Sequence, residues 1–350
     1  MDKASHSTVG PGAFQIGPGP MAVLRDGAGV SVVTDGATVM RLHLDERLCR
    51  LKVVESPAEP QLSLMAISAA TEAVFGWHPA LDRIVLDGTD ADQLLNSGLA
   101  VRAGDDLVLL PELCMQRRDN WIVDAGRPPF PQFHLLTDGK RHPGRPPKPA
   151  GMVYARFIPW LAETISFHVA DPDDHLELFH RWMNDPRVDA FWNEAGDLEK
   201  HKNYLSGILA DPHMLPLIGF FGDAPFGYFE VYWAKENRIA PFYDANDYDR
   251  GWHVVVGEDD YRGRHYISAW LPSLMHYMFL DDCRTQRIVG EPAAAHAQQL
   301  RNLQRSGFAS IKNFDFPHKR ATLVMLLRER FFGDRLWLPA ANESPAAMHR

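Results

Sequence analysis

The sequence predicts an α/β protein built as two lobes, and three observations carry that expectation. Residues Gly251 to His265 read as an apolar strand, a short turn bearing Arg262-Gly263-Arg264, and the opening of a helix. Strand-like and helix-like stretches alternate through the rest of the chain. One order of elements also occurs twice. An apolar helix precedes Arg83-Ile84-Val85, and a second helix then leads to Ser97-Gly98-Leu99-Ala100. The same order surrounds Arg287-Ile288-Val289 and Ser306-Gly307-Phe308-Ala309. We read the first half as a worn copy of the second.

The chain has 350 residues, room for two ordinary domains, and 45% of them are hydrophobic. A net charge of −9 argues against a nucleic-acid protein, whose footprint would be basic. Cys49, Cys114 and Cys283 are far apart and form no CxxC pair, which suggests a reducing compartment. No signal peptide and no membrane-spanning run is evident, so a cytoplasmic location is expected. The sixteen histidines show no HxxxH helix with a third ligand nearby, so no metal is assigned.

In chain order, residues 1–20 are rich in Gly, Pro and Ser and are expected to be disordered. Met21 to Ser56 alternates as strands and hairpins do. Leu62 to Phe75 has helical periodicity, Arg83 to Leu86 is a strand, Asp90 to Asn96 a helix and Leu107 to Leu110 a strand. Residues 137–151 are Pro-rich and basic, a linker composition. We therefore expect a first lobe over 21–136, a solvated linker over 137–151, a second lobe over 152–335 and a tail over 336–350. In the second lobe, strands are expected near Met152–Phe157, Pro216–Phe221, Phe226–Trp233, Trp252–Val256, Gln286–Gly290 and Phe308–Phe314. Helices are expected near Pro172–Asn184, Leu198–Leu209, Ile267–Asp281 and His296–Ser306. Ala321 to Glu329 fits either type.

The order of elements over 152–332 resembles the Gcn5-related N-acetyltransferase (GNAT) fold. In that family a central strand runs into an Arg/Gln-x-x-Gly-x-Gly/Ala turn that holds the pyrophosphate of acyl-CoA, and Tyr261-Arg262-Gly263-Arg264-His265 occupies that place. Further segments are similar to the acyltransferases of hydroxamate siderophore synthesis, the aerobactin-type N6-hydroxylysine acetyltransferases and their hydroxyornithine relatives. They are Phe179 to Val188 with Phe191-Trp192, Gly251-x-His253, Arg287 to Pro292, Ser306-Gly307-Phe308 and Phe316 to Ala321. The resemblance implies a mixed central sheet flanked by helices, with the first lobe a degenerate GNAT-like copy. That copy lacks an Arg-Gly-Arg turn and is expected not to bind cofactor.

Site residues follow. His253 matches the family's catalytic histidine and is expected to act as a general base, a neutral imidazole accepting a proton near its ordinary pKa of ~6.5. Its bland alternative is a hydrogen-bonded core histidine. Arg262, Gly263, Arg264, His265 and Ser268, with Val254 and Val256 of the strand, are assigned to the cofactor. Glycine permits close backbone approach, and the helix dipole favours an anion. Glu291 is expected to orient His253 or the acceptor. Many relatives have a thiolate-protonating Tyr where Leu303 stands, and some have Asp where Ala293 stands. His296 or solvent is the candidate replacement, a helix-cap role being the alternative for His296. Trp192, Glu230 and Tyr232 are assigned to the acceptor pocket, and Asn184 and Arg187 to the acceptor's α-carboxylate.

The resemblance thus implies an acyl-CoA-dependent N-acyltransferase. It would move an acetyl or other acyl group to the hydroxylamino nitrogen of N-hydroxylysine or N-hydroxyornithine by direct attack. The small hydroxylated diamino acid and other siderophore-pathway enzymes are its implied partners. Two other readings fit the same residues: a GNAT acting on another amine, such as an aminoglycoside, and a non-catalytic acyl-CoA-binding scaffold.

Overall fold

The computed structural model describes residues 13–17 and 19–339. The expected disorder over 1–20 and the tail over 336–350 fall largely outside them. The chain divides into two compact units, residues 1–125 with 155–164 and residues 126–154 with 165–350.

The first unit holds an eight-stranded sheet: β1 Phe14–Gln15, β2 Met21–Asp26, β3 Gly29–Thr34, β4 Ala37–Asp45, β5 Arg50–Glu55, β6 Ile84–Asp87, β7 Ala100–Ala103 and β8 Asp106–Leu109. Helix α1, Pro60–Trp77, links β5 to β6. Helix α2, Ala91–Asn96, links β6 to β7, and α3 is Pro111–Cys114. Spatially the order is β1-β2-β3-β4-β5-β6-β8-β7. All pairs are antiparallel except β5 with β6.

A two-stranded hairpin follows, β9 His134–Thr137 with β10 Lys140–Pro143. The expected linker is therefore not solvated throughout. The Arg145 side chain is buried, and its Nε and Nη2 each donate to Glu236 at 2.6 Å. Lys148 Nζ donates to the carbonyls of Ile208 and Leu209. Basic composition alone could not distinguish paired cations from solvated ones.

The second sheet contains β11 Met152–Ile158, β12 Glu163–Val169, β13 Met214–Phe221, β14 Ala224–Trp233, β15 Arg250–Val256, β16 Arg287–Gly290, β17 Ala309–Asp315 and β18 Arg320–Leu327. Its order is β11-β12-β13-β14-β15-β16-β18-β17. This is the order of the first sheet, with the parallel pair in the same place. The sequence echo thus reflects a shared topology. Helices α4 Pro172–Met183, α5 Pro186–Trp192 and α6 Leu198–Ala210 stand between β12 and β13. The corresponding first-sheet connection between β2 and β3 is a tight turn. Helix α7, Arg264–Asp281, follows β15. Helix α8, Ala297–Arg305, precedes β17, and α9, Arg328–Gly333, follows β18.

Helix α5 is absent from the sequence expectation, although its start carries a clear signal. Asp171-Pro172 opens α4 and Asp185-Pro186 opens α5. In each, the Asp side chain accepts from the N–H two residues on, and Pro occupies the first helical turn. Asn193, at φ 53°, ends α5. Phe179, Trp182, Met183, Val188 and Leu205 of these helices pack on Ile218, Tyr228 and Val255 of the sheet. A second cluster joins Tyr232 and Val289 to Phe314, Phe316, Ala321 and Leu323. No helix among the described residues is long and apolar enough to cross a membrane.

Candidate active site

On β15, residues 251, 253 and 255 share one face of the sheet. Cross-strand pairing sets Glu230 of β14 opposite His253, Tyr228 opposite Val255, and Tyr232 opposite Gly251. This register, together with β16, brings the two carboxylates expected at the site to a single ring. Nδ1 of His253 lies 2.9 Å from Oε2 of Glu230, and Nε2 lies 3.1 Å from Oε1 of Glu291. Only the doubly protonated ring donates from both nitrogens. Burial alone would lower the His253 pKa, but the Glu291 charge and hydrogen bonds to both carboxylates outweigh it and raise it to about 9. The two carboxylates therefore favour the imidazolium over the neutral imidazole expected from the sequence.

Each carboxylate is held in place from behind. Tyr204 and Tyr228 donate to Oε1 of Glu230 at 2.5 and 3.0 Å. Tyr232 donates to Oε2 of Glu291 at 2.9 Å, and Arg238 donates to Oε1 at 3.1 Å. Burial would raise the Glu230 pKa, but the hydrogen bonds from His253 and the two tyrosines hold it low. Burial of Glu291 is likewise outweighed, first by the His253 charge, and it too stays low. Burial and the neighbouring carboxylates push all three tyrosines up, so they remain phenols and donors. The Trp192 ring stands edge-on to His253, with centroids 6.2 Å apart, and the Tyr232 ring lies 5.0 Å away.

The other end of the strand leads into the turn expected to bind an anion. Gly263 has φ +94°, and an added Cβ there would meet nothing within 4 Å. It precedes α7, and no side chain caps the helix N-terminus. Arg262 and Arg264 are exposed. Ser268 Oγ donates to the His265 carbonyl, and His265 is half-buried in the first turn. Val254 and Val256 are half-buried on the face opposite His253. Pairing of β15 with β16 covers Arg250 with Ile288 and Gly251 with Val289. Past Gly251, among the described residues, that edge of β15 has no strand partner.

Three expected residues make other contacts. Asn184 Nδ2 donates to the carbonyls of His180 and Gly196, and its Oδ1 accepts from Gly196 N. It pins the loop after α5. Arg187 pairs with Asp185 and Asp259 and so belongs to the anion-turn side. His296 caps α8, its Nδ1 accepting from Gln299 N at 3.1 Å, and its ring lies against Phe191. Its capping alternative is the arrangement observed. Tyr204, Arg238 and Lys319 are additions that the sequence reading does not contain. Lys319 Nζ donates to the Glu291 carbonyl at 2.8 Å. The Phe316 to Ala321 segment includes that lysine, but neither spacing nor periodicity links it to Glu291.

A strand that parts from its parallel neighbour beside an open helix N-terminus, with a buried charged cluster along it, is the arrangement of an acyl-CoA-type transferase. A model of the acetyltransferase (GNAT) domain matches residues 171–316. An acyltransferase of Mycosarcoma maydis, fer5, is 36% identical over 319 residues, covering 80% of this chain and 71% of the relative. The chain belongs to the GNAT acyltransferase family. The resemblance to siderophore acyltransferases is borne out by two further relatives. The N(5)-hydroxyornithine:cis-anhydromevalonyl coenzyme A-N(5)-transacylase of Beauveria bassiana is 48% identical over 215 residues, 60% of this chain and 47% of the relative. The N(6)-hydroxylysine O-acetyltransferase of Escherichia coli is 47% identical over 201 residues, 57% of this chain and 64% of the relative. The chain thus matches about half to two thirds of the length of these two.

Proposed function

We propose that the chain transfers an acyl group from acyl-CoA to the hydroxylamino nitrogen of N6-hydroxylysine or N5-hydroxyornithine, giving a hydroxamate and free CoA. The observation that carries this reading is His253 held between Glu230 and Glu291 on the strand that leads to the anion turn. The activities for which the relatives are named supply the acceptor class. Arg262, the open backbone at Gly263 and the α7 N-terminus would hold the pyrophosphate, and the unpaired edge of β15 would bind the pantetheine arm.

A hydroxylamine is largely uncharged at neutral pH, so it attacks the thioester without first losing a proton. Attack leaves that nitrogen cationic and more acidic than the free hydroxylammonium, so a carboxylate can take its proton. We assign that role to Glu291. As the adduct collapses, the C–S bond breaks and the sulfur needs a proton. His253, already an imidazolium, supplies it. The proton given to Glu291 then returns to the ring, and the site is restored. This accounts for a site in which Leu303 stands at the family's thiolate-acid position.

The test is thiol release from acetyl-CoA against N6-hydroxylysine, N5-hydroxyornithine, lysine, ornithine and an aminoglycoside. The expected result is a large kcat/KM preference for the two hydroxylamines. Comparable rates on the parent diamines would reject the proposal.

A further inference from the structure

Two cations meet at Glu291 without serving the anion turn. Arg238 donates from Nη2 to Oε1 of Glu291, the oxygen that also faces His253 Nε2. Its guanidinium is thus no more than two hydrogen-bond lengths from the ring. The side chain is 48% exposed and, with five N–H donors, keeps capacity beyond that contact. Lys319, half-buried, reaches the same residue through the Glu291 carbonyl. Both cations lie against one aromatic surface, Arg238 at 5.2 Å and Lys319 at 5.8 Å from the Phe316 ring centroid. Phe316 is itself packed in the apolar cluster beneath Tyr232, so the pair sits on a fixed platform. The residues expected to bind a carboxylate, Asn184 and Arg187, are committed elsewhere.

We propose that Arg238 and Lys319 form the subsite that holds the acceptor's α-carboxylate and so select against a decarboxylated hydroxy-diamine. The inference rests on the acyl-transfer reading above and assigns recognition of its acceptor's carboxylate to two residues. Arg238 presents a planar fork suited to a carboxylate, and Lys319 adds a point charge beside it. Anchoring the carboxylate there leaves the side-chain nitrogen to extend toward His253. Two cations also offset the charge of Glu291, which alone would repel an anion.

The experiment compares two acceptors with the full chain at saturating acetyl-CoA: N6-hydroxylysine and N-hydroxycadaverine, which differ in the α-carboxylate. Hydroxamate formation is followed by its ferric complex. The wild type is expected to favour hydroxylysine by about tenfold or more in kcat/KM, mostly through KM. That ratio should fall toward one in Arg238→Ala and in Lys319→Ala, with Arg238→Lys between. Equal use of both acceptors by the wild type, or an unchanged ratio in both alanine variants, overturns the subsite and leaves the acyl-transfer reading standing. Failure to acylate either hydroxylamine, with turnover of another amine, overturns both. The wild-type comparison needs no variant to fold. A residue that merely neutralised Glu291 would alter kcat for both acceptors alike and leave the ratio intact.

Discussion

His253 and Glu230 face each other directly across two antiparallel strands, and their side chains close to 2.9 Å between Nδ1 and Oε2. Cross-strand neighbours are the closest non-bonded residues in a sheet. The orientation of the ring is therefore set by β-sheet register rather than by a loop. Glu291 engages the second nitrogen and completes the lock.

His253 is expected to govern chemistry more than cofactor affinity. His253→Ala should lower kcat by about 10²-fold or more, while the acyl-CoA dissociation constant changes little. If the imidazolium is the proton donor, wild-type kcat/KM should hold through neutral pH and fall as pH passes the His253 value of about 9. A rate that instead climbs across that range would mark the ring as the base.

The anion turn should answer for acyl-CoA. Replacing Arg262 and Arg264 together by Ala is expected to raise KM for acetyl-CoA well above any change in the acceptor KM. Charge-assisted contacts contribute roughly 1.5–3 kcal/mol each. Calorimetry showing the same acyl-CoA affinity in the double variant would reject this placement.

One acyl-CoA is expected per chain. The helix that follows β5 in the first sheet is α1, and its N-terminus is already occupied. The Glu59 carboxylate accepts from the N–H groups of Gln61 and Leu62. A negative charge sits where a phosphate would bind, whereas α7 begins at an uncapped glycine. Titration calorimetry giving a stoichiometry near two would sink the idea.

Gly251 is expected to tolerate no side chain. An added Cβ would stand 2.3 Å from the Tyr232 ring, which is fully buried and bonded to Glu291. Gly251→Ala should cost about 1–3 kcal/mol in chemical denaturation and lower kcat by displacing Glu291. Wild-type stability and kcat in this variant would show that Tyr232 moves freely.

The buried cluster should also make stability depend on pH. His253 is raised above its unfolded value, so its contribution is fully present below pH ~6.5 and is lost as pH rises through about 9. Glu230 and Glu291 are depressed, so theirs is present above the ordinary carboxylate range and lost on acidification. Denaturation midpoints should therefore plateau between, and His253→Gln should lose the alkaline decline. An alkaline decline that persists unchanged in that variant would assign it to other groups.

Local patterns in the sequence determined a good deal. Alternation marked the early strands of the first sheet and helical periodicity marked α1, while β12 and α5 were absent from the expectation. The apolar strand running into Arg262-Gly263-Arg264 located the strand-turn-helix junction, because strand, glycine and helix start are consecutive in the chain. The repeated order of elements disclosed two sheets of one topology. His253, Glu230 and Glu291 were each identified, with Glu291 expected to orient His253 or the acceptor and Glu230 placed apart in the acceptor pocket. Only the tertiary structure decided that they form one charged cluster. That depends on the β14–β15 register and on where β16 delivers Glu291, and neither is encoded within a window of neighbouring residues. The same cause explains the protonation state of His253. Its side chain is that of any histidine, and its pKa is set by two carboxylates that the chain brings in from 23 and 38 residues away. Arg238, in an irregular loop, and Lys319, in a hairpin turn, carried no periodic signal. Their meeting over Phe316 is decided by folding alone.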